Sequence, residues 1–276
     1  MNQIFYKNSN SMNEVDSDSV KLIITSPPYF NIKDYSSNGT QDKKHSKINE
    51  YDIGSIASYD DYIDAMLRTW KECERVLEPN GKLCINVPLM PMLKKELNTH
   101  YNRHIFDLHS DIQNSILKNT NLFLMDLYIW NRTNTTKKLM FGSYPYPTNF
   151  YAQNTSEFIV VFVKDGKPKQ ISKEIKEQSK ITQNEWTSFT KQIWDIPIPN
   201  KKDIAFGEHS AIMPEQIPYR LIKMFSFVND IVLDPFAGSG TTLKVAKALN
   251  RQYVGYEIYK YYEKLINAKL QSNIFD

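Results

Sequence analysis

"VLDPFAGSGTT", Val232 to Thr242, has the pattern of a short buried strand that turns sharply into a helix. Gly238 and Gly240 allow a tight turn, and the first backbone amides of the following helix face that turn. The spacing is not the dinucleotide fingerprint, because a third spaced glycine is missing, and no Gly-Lys-Thr or Gly-Lys-Ser follows as in a P-loop. The segment therefore predicts a nucleotide-type pocket that does not cradle phosphate.

Two acidic residues indicate what kind of ligand this pocket takes. Asp234 precedes the glycines, where it would repel a pyrophosphate but suits a ligand that carries an ammonium group. Glu257 follows 23 residues later in "YVGYEI", at about the spacing where an acid in such folds binds ribose hydroxyls. S-adenosylmethionine has an ammonium, a carboxylate, a ribose and an adenine, and it has no phosphate. The structural alternatives are a helix-capping Asp and a surface Glu.

A second motif, "TSPPYF" from Thr25 to Phe30, follows an apolar run. Proline cannot donate to a sheet and pushes the preceding residue into extended geometry, so Ser26-Pro27-Pro28 should leave the strand as a stiff turn. Such a turn exposes carbonyl oxygens and fixes the direction of the Tyr29 ring, which can then bind something flat. The alternative is an ordinary turn with aromatic side chains in the core. For Phe30 the two alternatives are a second wall of the binding site and a core position, and the core position is favoured.

Composition limits the class of protein. The 276 residues can bury a core as one large domain, and 34 Lys+Arg against 31 Asp+Glu give a net charge of only +3. Any nucleic-acid surface must therefore come from local clustering of charge.

The cysteines and the apolar runs indicate the cellular environment. Cys73 and Cys84 lie in apolar-periodic segments, as reduced core thiols do. No Cys/His spacing predicts a metal site, and the absence of long apolar runs and of a signal-peptide pattern predicts a cytoplasmic protein without membrane association.

Strand-like and helical patterns alternate along much of the chain, which predicts an α/β fold with a doubly wound, mostly parallel sheet. The strand-like runs are Ile4 to Tyr6, Val20 to Thr25, Lys82 to Val87, Leu122 to Trp130, Phe158 to Lys164, Asp230 to Leu233 and Gln252 to Ile258. The clearest helix is capped by Ser58 and is expected to end at Gly81. Two polar stretches lack periodicity. The stretch 31–57 is interpreted as a long loop, and for 165–207 a solvated surface insertion is one of two equal alternatives, the other being a functional segment.

Further segments extend the pattern over almost the whole chain. They are "WKECERVLEPNGKLCINVP" (Trp70 to Pro88), "YIWNRTN" (Tyr128 to Asn134), "TSEFIVVFVK" (Thr155 to Lys164) and "GEHSAIMPEQIPYRLI" (Gly207 to Ile222). With the two motifs above, they resemble the amino-directed DNA methyltransferases of the N4/N6 family, in the permuted (beta) class where the catalytic turn precedes the cofactor loop. The resemblance implies the S-adenosylmethionine-dependent methyltransferase fold as one domain, with a catalytic half at 1–164, a target-recognition or linker segment at 165–207 and a cofactor-binding half at 208–276.

The resemblance also implies roles for individual residues. The catalytic residues would be Ser26, Pro27, Pro28 and Tyr29. The cofactor-binding residues would be Asn8, His209, Asp234, Pro235, Phe236, Ala237, Gly238, Ser239, Gly240, Thr241 and Glu257. Ala211 and Pro214 would be further pocket walls, with a core-helix role as an equal alternative for Pro214. Asn8 departs from the family pattern, because many relatives have an acid there that accepts the adenine amino group. Its amide oxygen can accept the same hydrogen bond with less charge assistance.

The prolyl turn suits the chemistry of amino methylation. An exocyclic amino nitrogen is a poor nucleophile because its lone pair is delocalised into the ring, and oxygen acceptors around it favour a pyramidal nitrogen and stabilise the charge that develops. Tyr29 can stack on a base extracted from the duplex. Methylation at carbon 5 of cytosine would need a cysteine nucleophile, in that family after a proline, and neither Cys73 nor Cys84 follows one.

Within this family S-P-P-Y tends to accompany cytosine N4 and D-P-P-Y adenine N6, so we expect a cytosine-N4 methyltransferase. Adenine N6 is the nearest alternative, followed by RNA or protein methylation and a non-catalytic nucleic-acid-binding module. The implied partners are double-stranded DNA and a cognate restriction endonuclease, the implied state is a monomer or homodimer, and the implied location is the bacterial nucleoid. The candidate phosphate contacts are Lys33, Lys43, Lys44, Lys137 and Lys138.

Overall fold

The computed structural model describes residues 1–30, 52–93, 100, 103–135, 142–209 and 211–275. The strands are β1 (Asn2–Phe5), β2 (Val20–Thr25), β3 (Leu77–Pro88), β4 (Met90–Leu93), β5 (Arg103–Phe106), β6 (Leu122–Arg132), β7 (Ser156–Lys164), β8 (Ile193–Ile196), β9 (Ile231–Asp234) and β10 (Gln252–Tyr256). Eight of them form one sheet in the order β1-β10-β9-β2-β3-β7-β6-β8, while β4 and β5 pair separately. Among the described strands of the large sheet, β7 alone runs against the others.

Helices cover both faces of this sheet. They are α1 (Tyr59–Val76), α2 (Leu108–Asn119), α3 (Lys173–Gln178), α4 (Gln183–Phe189), α5 (Gln216–Phe225), α6 (Thr241–Ala248) and α7 (Glu263–Gln271). In β2, Ile23 joins the apolar cluster under α1 and α2, whereas Leu22 and Ile24 join the cluster under α5 and α6. Because successive side chains of a strand point to opposite faces, this strand is buried on both sides. The prediction of a doubly wound, mostly parallel sheet is confirmed.

The order of strands in space differs from their order in the chain. β9, from the C-terminal part of the sequence, lies between β10 and β2, and Val232 and Leu233 pair with Leu22 and Ile23. β1 pairs with β10 on the other side. Since β2 and β9 are parallel neighbours, the prolyl turn after one and the glycine loop after the other leave the sheet at the same edge, which is where ligands bind in such folds.

Helix α1 begins as predicted but ends earlier. The Ser58 hydroxyl accepts a hydrogen bond from the Asp61 amide at 3.3 Å and so caps the helix. The helix stops at Val76 and β3 starts at the next residue, so the expected stop at Gly81 is wrong and this glycine lies within the strand. Pro79 provides the physical reason, because it removes an amide donor and disfavours helical geometry at the residue before it.

The stretch 165–207 is more structured than its composition indicates. β8 extends the main sheet beside β6, and Trp194 is 1% exposed, stacks on Tyr128 at 4.7 Å and donates to the Phe189 carbonyl. The interpretation of the whole stretch as a solvated insertion is therefore wrong at β8, while its role in target recognition stays a prediction. Of the predicted loop 31–57, residues 31–51 lie outside the described residues, as do the five lysines proposed as phosphate contacts.

No helix among the described residues combines the length and the apolar character that a membrane crossing requires.

Candidate active site

A cavity of about 560 Å³ opens at the carboxyl edge of the sheet. All four residues of the prolyl turn line it, together with every predicted cofactor residue except Gly240. This volume lies within the range of roughly 300 to 1,000 Å³ that is usual for small-molecule sites. Ala211 lines the cavity as expected. Of the two alternatives for Pro214, the structure agrees with the core-helix role, because this residue is buried outside the cavity and its carbonyl accepts the Ile217 amide at the start of α5.

The glycine loop depends on glycine for both conformation and space. Gly238 has φ +51° and Gly240 has φ +84°, which is left-handed geometry that side chains disfavour. A Cβ atom on Gly238 would lie 2.8 Å from His209 Nε2, and one on Gly240 would lie 2.9 Å from the Ile266 side chain. The loop is thus packed closely against α7 and the segment before α5, and α6 begins directly after it.

Asp234 joins the two strands that bring the motifs together. It is 3% exposed, and its Oδ1 accepts hydrogen bonds from Thr25 Oγ1 at 2.8 Å and from the Phe236 amide at 3.0 Å. Burial raises the pKa of this carboxyl to about 6. The sequence predicted an ammonium contact for Asp234 and did not predict its bond to Thr25, which fixes the end of β2 against the end of β9.

Glu257 holds the glycine loop from the adjacent strand. Its two oxygens accept the amides of Gly238 at 2.8 Å and Tyr259 at 2.9 Å, and the side chain lines the cavity. Burial raises its pKa to about 7. Because an acid with this pKa is partly protonated at neutral pH, its capacity to accept hydrogen bonds from a ligand changes in the physiological range.

His209 covers the glycine loop as a neutral ring. Its Nδ1 accepts from the Ala211 amide at 3.2 Å, which leaves the hydrogen of the neutral ring on Nε2, beside Gly238. Burial lowers its pKa to about 4. The ring also contacts Tyr262, with 4.9 Å between centroids. His209 therefore forms an uncharged wall of the cavity.

Asn8 lines the same cavity, at the end of β1. Its Oδ1 accepts the Asn10 amide at 2.8 Å and closes a local turn. The oxygen expected to accept an adenine amino group is thus already engaged with the backbone, although an amide oxygen has a second lone pair.

A hydrogen-bond network fixes the prolyl turn. Tyr29 Oη lies 3.0 Å from Ser26 Oγ and donates to Glu157 Oε2 at 3.4 Å. Ser26 Oγ in turn donates to the Asn86 carbonyl at 3.2 Å. With each hydroxyl hydrogen directed to a strand, Ser26 ties the turn to β3 and Tyr29 ties it to β7, while the two hydroxyl oxygens lie in contact.

The other side of the turn is core. Phe30 is 6% exposed and packs edge-on against Tyr59 and Phe106, so the favoured core position is confirmed. Tyr62 donates its hydroxyl to the Pro28 carbonyl at 2.8 Å. The Tyr62 hydrogen bond and the packing of Phe30 therefore anchor the turn to the core, which restricts the direction in which the Tyr29 ring can point.

Sequence reasoning missed the group that surrounds the Tyr29 hydroxyl. Glu157 is 6% exposed and accepts from Asn86 Nδ2 at 2.6 Å and from Arg132 Nη1 at 3.3 Å, and burial raises its pKa. Asn86 Oδ1 is buried without a hydrogen-bond partner among the described residues, and all three side chains line the cavity. The available signal was a polar residue within each of two apolar runs, Asn86 in "LCINVP" and Glu157 in "TSEFIVVFVK". Because buried polar groups are rarely left unpaired, such residues indicate a polar network.

Lys269 was also missed. This side chain is 1% exposed, and its ammonium donates to Thr241 Oγ1 at 2.9 Å, to Asp203 Oδ1 at 3.1 Å and to Ser239 Oγ at 3.3 Å. Lys269 thus holds the glycine loop in place through its hydrogen bonds to Ser239 and Thr241. Burial lowers its pKa. A single lysine on an otherwise ordinary helix carries no signal of this role in the sequence.

Comparisons with known proteins agree with this arrangement. A family model for N6/N4 methyltransferases, described as DNA methylase, matches residues 20–268. The Type II methyltransferase M.MjaI of Methanocaldococcus jannaschii is 31% identical over 97% of this chain and 90% of its own length. TTHA0409 of Thermus thermophilus, solved in complex with S-adenosyl-L-methionine, superposes with a TM-score of 0.75 at 25% identity and covers 100% of this chain and 98% of its own.

A third protein shares the fold. PvuII DNA methyltransferase (cytosine-N4-specific) has a TM-score of 0.68 at 19% identity and covers 100% of this chain and 88% of its own. The family model spans most of the sequence, including both motifs that line the cavity. The cofactor of this enzyme is S-adenosylmethionine. The chain belongs to the N6/N4 family of DNA methylases.

Proposed function

We propose that this enzyme transfers a methyl group to the exocyclic N4 amino group of cytosine, in a base rotated out of double-stranded DNA. The observation that carries the proposal is the meeting of the prolyl turn and the glycine loop in one cavity, although more than 200 residues separate Thr25 from Asp234, whose side chains are hydrogen-bonded. One motif supplies oxygen acceptors and an aromatic ring, and the other supplies a nucleotide-type pocket.

The residues around the glycine loop fit S-adenosylmethionine. The cavity has the volume for it, the two glycines bring the backbone close, and the lining contains carboxylates but no phosphate-binding loop. When bound, S-adenosylmethionine supplies a sulfonium methyl group. We assign its binding to the predicted set Asn8, His209, Asp234, Pro235, Phe236, Ala237, Gly238, Ser239, Gly240, Thr241 and Glu257, with Glu257 as the acceptor for the ribose hydroxyls and Gly240 acting through the loop conformation.

The prolyl turn would activate and position the amino nitrogen of the base. Ser26 Oγ donates its hydrogen to the Asn86 carbonyl, so its lone pairs can accept a hydrogen bond from the substrate amino group. Together with the Pro27 carbonyl, this acceptor favours a pyramidal nitrogen and stabilises the positive charge that develops on it. The Tyr29 ring stacks on the base, a contact of roughly 1 to 3 kcal/mol that offsets part of the cost of unstacking.

Glu157 would act as a positioning residue for this turn. Its carboxylate accepts from Tyr29 and from Asn86, and Arg132 balances its charge. A ring whose hydroxyl is held in this way loses less conformational freedom when the base binds. Glu157 is not assigned a proton-transfer step.

Cytosine is favoured over adenine because the turn begins with Ser26, a neutral acceptor, in the pattern that tends to accompany N4 methylation. The names of M.MjaI and of M.MthZI from Methanothermobacter thermautotrophicus, both Type II methyltransferases, support a role as the modification enzyme of a restriction system. Recognition of the target sequence is assigned to residues 165–207, within a single methyltransferase domain.

The direct test is analysis of the methylated base. Purified protein, trideuteromethyl S-adenosylmethionine and plasmid DNA are incubated, and the DNA is digested to nucleosides for mass spectrometry, with RNA as a parallel substrate. The proposal predicts labelled N4-methylcytosine in DNA. Labelled N6-methyladenine would instead assign the adenine-N6 reaction, and label found only in RNA or protein would overturn DNA as the substrate.

A further inference from the structure

The connection between β6 and β7 carries an exposed group of aromatic side chains. Tyr144, Tyr146 and Phe150 are 73%, 74% and 77% exposed, the highest values for large hydrophobic side chains among the described residues, and Trp186 follows at 62%. We call residues 142–151 the aromatic hairpin. A cluster of exposed aromatic rings is costly in water and usually marks a binding surface.

The aromatic hairpin has a defined shape. Gly142 and Phe150 form an antiparallel bridge, and the Ser143 amide donates to the Asn149 carbonyl at 2.9 Å. Ser143 Oγ closes the tip by donating to the Tyr146 carbonyl at 2.7 Å. A Cβ on Gly142 would lie 1.8 Å from the Asn149 carbonyl oxygen, so this close approach requires glycine. Because the backbone is fixed, the rings are presented at a small entropic cost of binding.

The aromatic hairpin is attached to the rim of the cavity. Arg132, which lines the cavity, donates to the Asn154 and Thr155 carbonyls at the end of the connection. Asn154 Nδ2 donates to the Leu89 carbonyl at 2.9 Å, just beyond β3. Two residues after Thr155 comes Glu157, which binds the Tyr29 hydroxyl. The connection that carries the aromatic hairpin is therefore anchored, through residues 154–157, at the part of the site assigned to the target base.

The composition of this surface favours bases over phosphates. Residues 142–155 contain no charged side chain of their own, so the three exposed rings supply no charge to a phosphate backbone. Arg103 is a charged neighbour, and its guanidinium is engaged with the Tyr151 ring at 5.8 Å and with the Ala152 carbonyl at 2.7 Å. When a base leaves a duplex, the faces of its neighbours and its former partner lose their stacking contacts. Aromatic side chains stack on any base, because every base has a π-face.

We propose that Tyr144, Tyr146 and Phe150 form a stacking surface for the bases of the target duplex next to the extruded base, and that this contact stabilises the open duplex. The inference rests on the proposed function, in which the enzyme acts on a base rotated out of DNA. It adds to that function a second DNA contact, distinct from the Tyr29 ring, that receives unstacked bases other than the target.

The test uses the full-length protein and a duplex that carries a site methylated by the wild type in plasmid DNA. The variant Y144A/Y146A/F150A removes the three rings, and Y144L/Y146L/F150L keeps apolar side chains without rings. Phe123→Ala is the matched control, because Phe123 is 56% exposed but lies near the opposite end of β6. Single-turnover methylation is measured on the paired duplex and on one in which the target base is mismatched, with the S-adenosylmethionine Kd and the melting temperature of each protein.

We expect both triple variants to lose about tenfold or more in methylation of the paired duplex and clearly less on the mismatched duplex, where the cost of opening is already reduced. Phe123→Ala should match the wild type, and S-adenosylmethionine affinity should be unchanged throughout. An equal loss on both duplexes, or wild-type activity in the alanine variant, would overturn the inference while leaving the proposed function intact. A wild type that methylates no DNA would instead overturn the proposed function.

A second copy of the chain is the competing occupant of this surface. Light scattering of the wild type and the alanine variant without DNA tests it. Equal molar masses support the DNA contact, whereas a wild-type dimer that the alanine variant loses would overturn it.

Discussion

At the scale of single residues, Glu257 makes cofactor binding depend on pH. Its pKa is raised to about 7 by burial, and we assign it as an acceptor for ribose hydroxyls, a role in which the ionised form binds more strongly than the protonated one. The S-adenosylmethionine Kd should therefore fall by about five- to tenfold between pH 6 and pH 7.5. Calorimetric titration at both values checks this dependence.

The matched variant for this prediction is Glu257→Gln, which keeps the size of the side chain and cannot ionise. It should bind more weakly at pH 7.5 and lose most of the pH dependence. The same slope in both proteins would assign the pH dependence to another group. In the cofactor-free wild type, a raised folded-state pKa means that the contribution of Glu257 to stability is present at pH 4 and is lost as the pH rises through about 7.

Glu157 provides a second prediction at this scale. Glu157→Gln removes the charge that Arg132 balances and puts an amide beside the Tyr29 hydroxyl. We expect kcat to fall by about tenfold or more with an unchanged S-adenosylmethionine KM, and stability to fall by about 1 to 3 kcal/mol. Steady-state kinetics and urea unfolding measure the two effects.

The control for Glu157 is Glu78→Gln. Glu78 is an equally buried acid paired with Lys21 at 3.0 Å, near the start of β2 and so at the opposite edge of the sheet from the cavity. It should show the stability loss without the loss of kcat. If both variants lose kcat in proportion to stability, Glu157 has a structural role and no positioning role.

Sequence reasoning at the residue scale succeeded where a motif carried the signal. The prolyl turn and almost all predicted cofactor residues line one cavity. It failed for Glu157, Arg132 and Asn86, because their contacts depend on the register of β3, β6 and β7, which no local pattern reveals. The bond between Asp234 and Thr25 was missed for the same reason, since it needs the pairing of β2 with β9.

At the scale of elements, adding one methyl group to Gly238 tests whether cofactor binding depends on the close packing of the glycine loop. Gly238→Ala places a Cβ 2.8 Å from His209 Nε2, whereas Gly207, also at positive φ, has nothing within 4 Å of its Cβ position. Both substitutions place an alanine in the left-handed backbone conformation, which costs roughly 1 to 2 kcal/mol. The difference between the two variants therefore isolates the steric clash between the new Cβ and His209. Gly238→Ala should weaken S-adenosylmethionine binding by about tenfold more than Gly207→Ala, measured by calorimetry. Equal effects would show that conformation alone matters.

Among the elements, long and strongly apolar strands were predictable. β2 has the bounds expected from its apolar run, and β7 begins two residues before the predicted start. β8 was missed because it has four residues at the sheet edge, with Ile193 55% exposed, so its pattern is hard to distinguish from a polar loop. The end of α1 was misplaced because Pro79 acts before Gly81.

At the scale of the whole molecule, chain order and spatial order differ. The C-terminal strands β9 and β10 lie between the N-terminal strands β1 and β2, and this places the two motifs side by side. The parallel character of the sheet followed from alternating strand and helix patterns, but the adjacency of β2 and β9 was expected only from the resemblance to the permuted methyltransferases. Local sequence patterns do not encode which distant strands pair.

The central claim is that the prolyl turn and the glycine loop form one site with separate tasks, and Tyr29 tests it most directly. Single-turnover methyl transfer to DNA and the S-adenosylmethionine Kd are measured on Tyr29→Ala and on Tyr29→Phe, which keeps the ring. We predict that Tyr29→Ala loses about a hundredfold or more in methyl transfer, that Tyr29→Phe loses clearly less, and that both bind the cofactor like the wild type. Wild-type transfer by Tyr29→Ala, or a loss of transfer fully explained by weaker cofactor binding, would contradict the account.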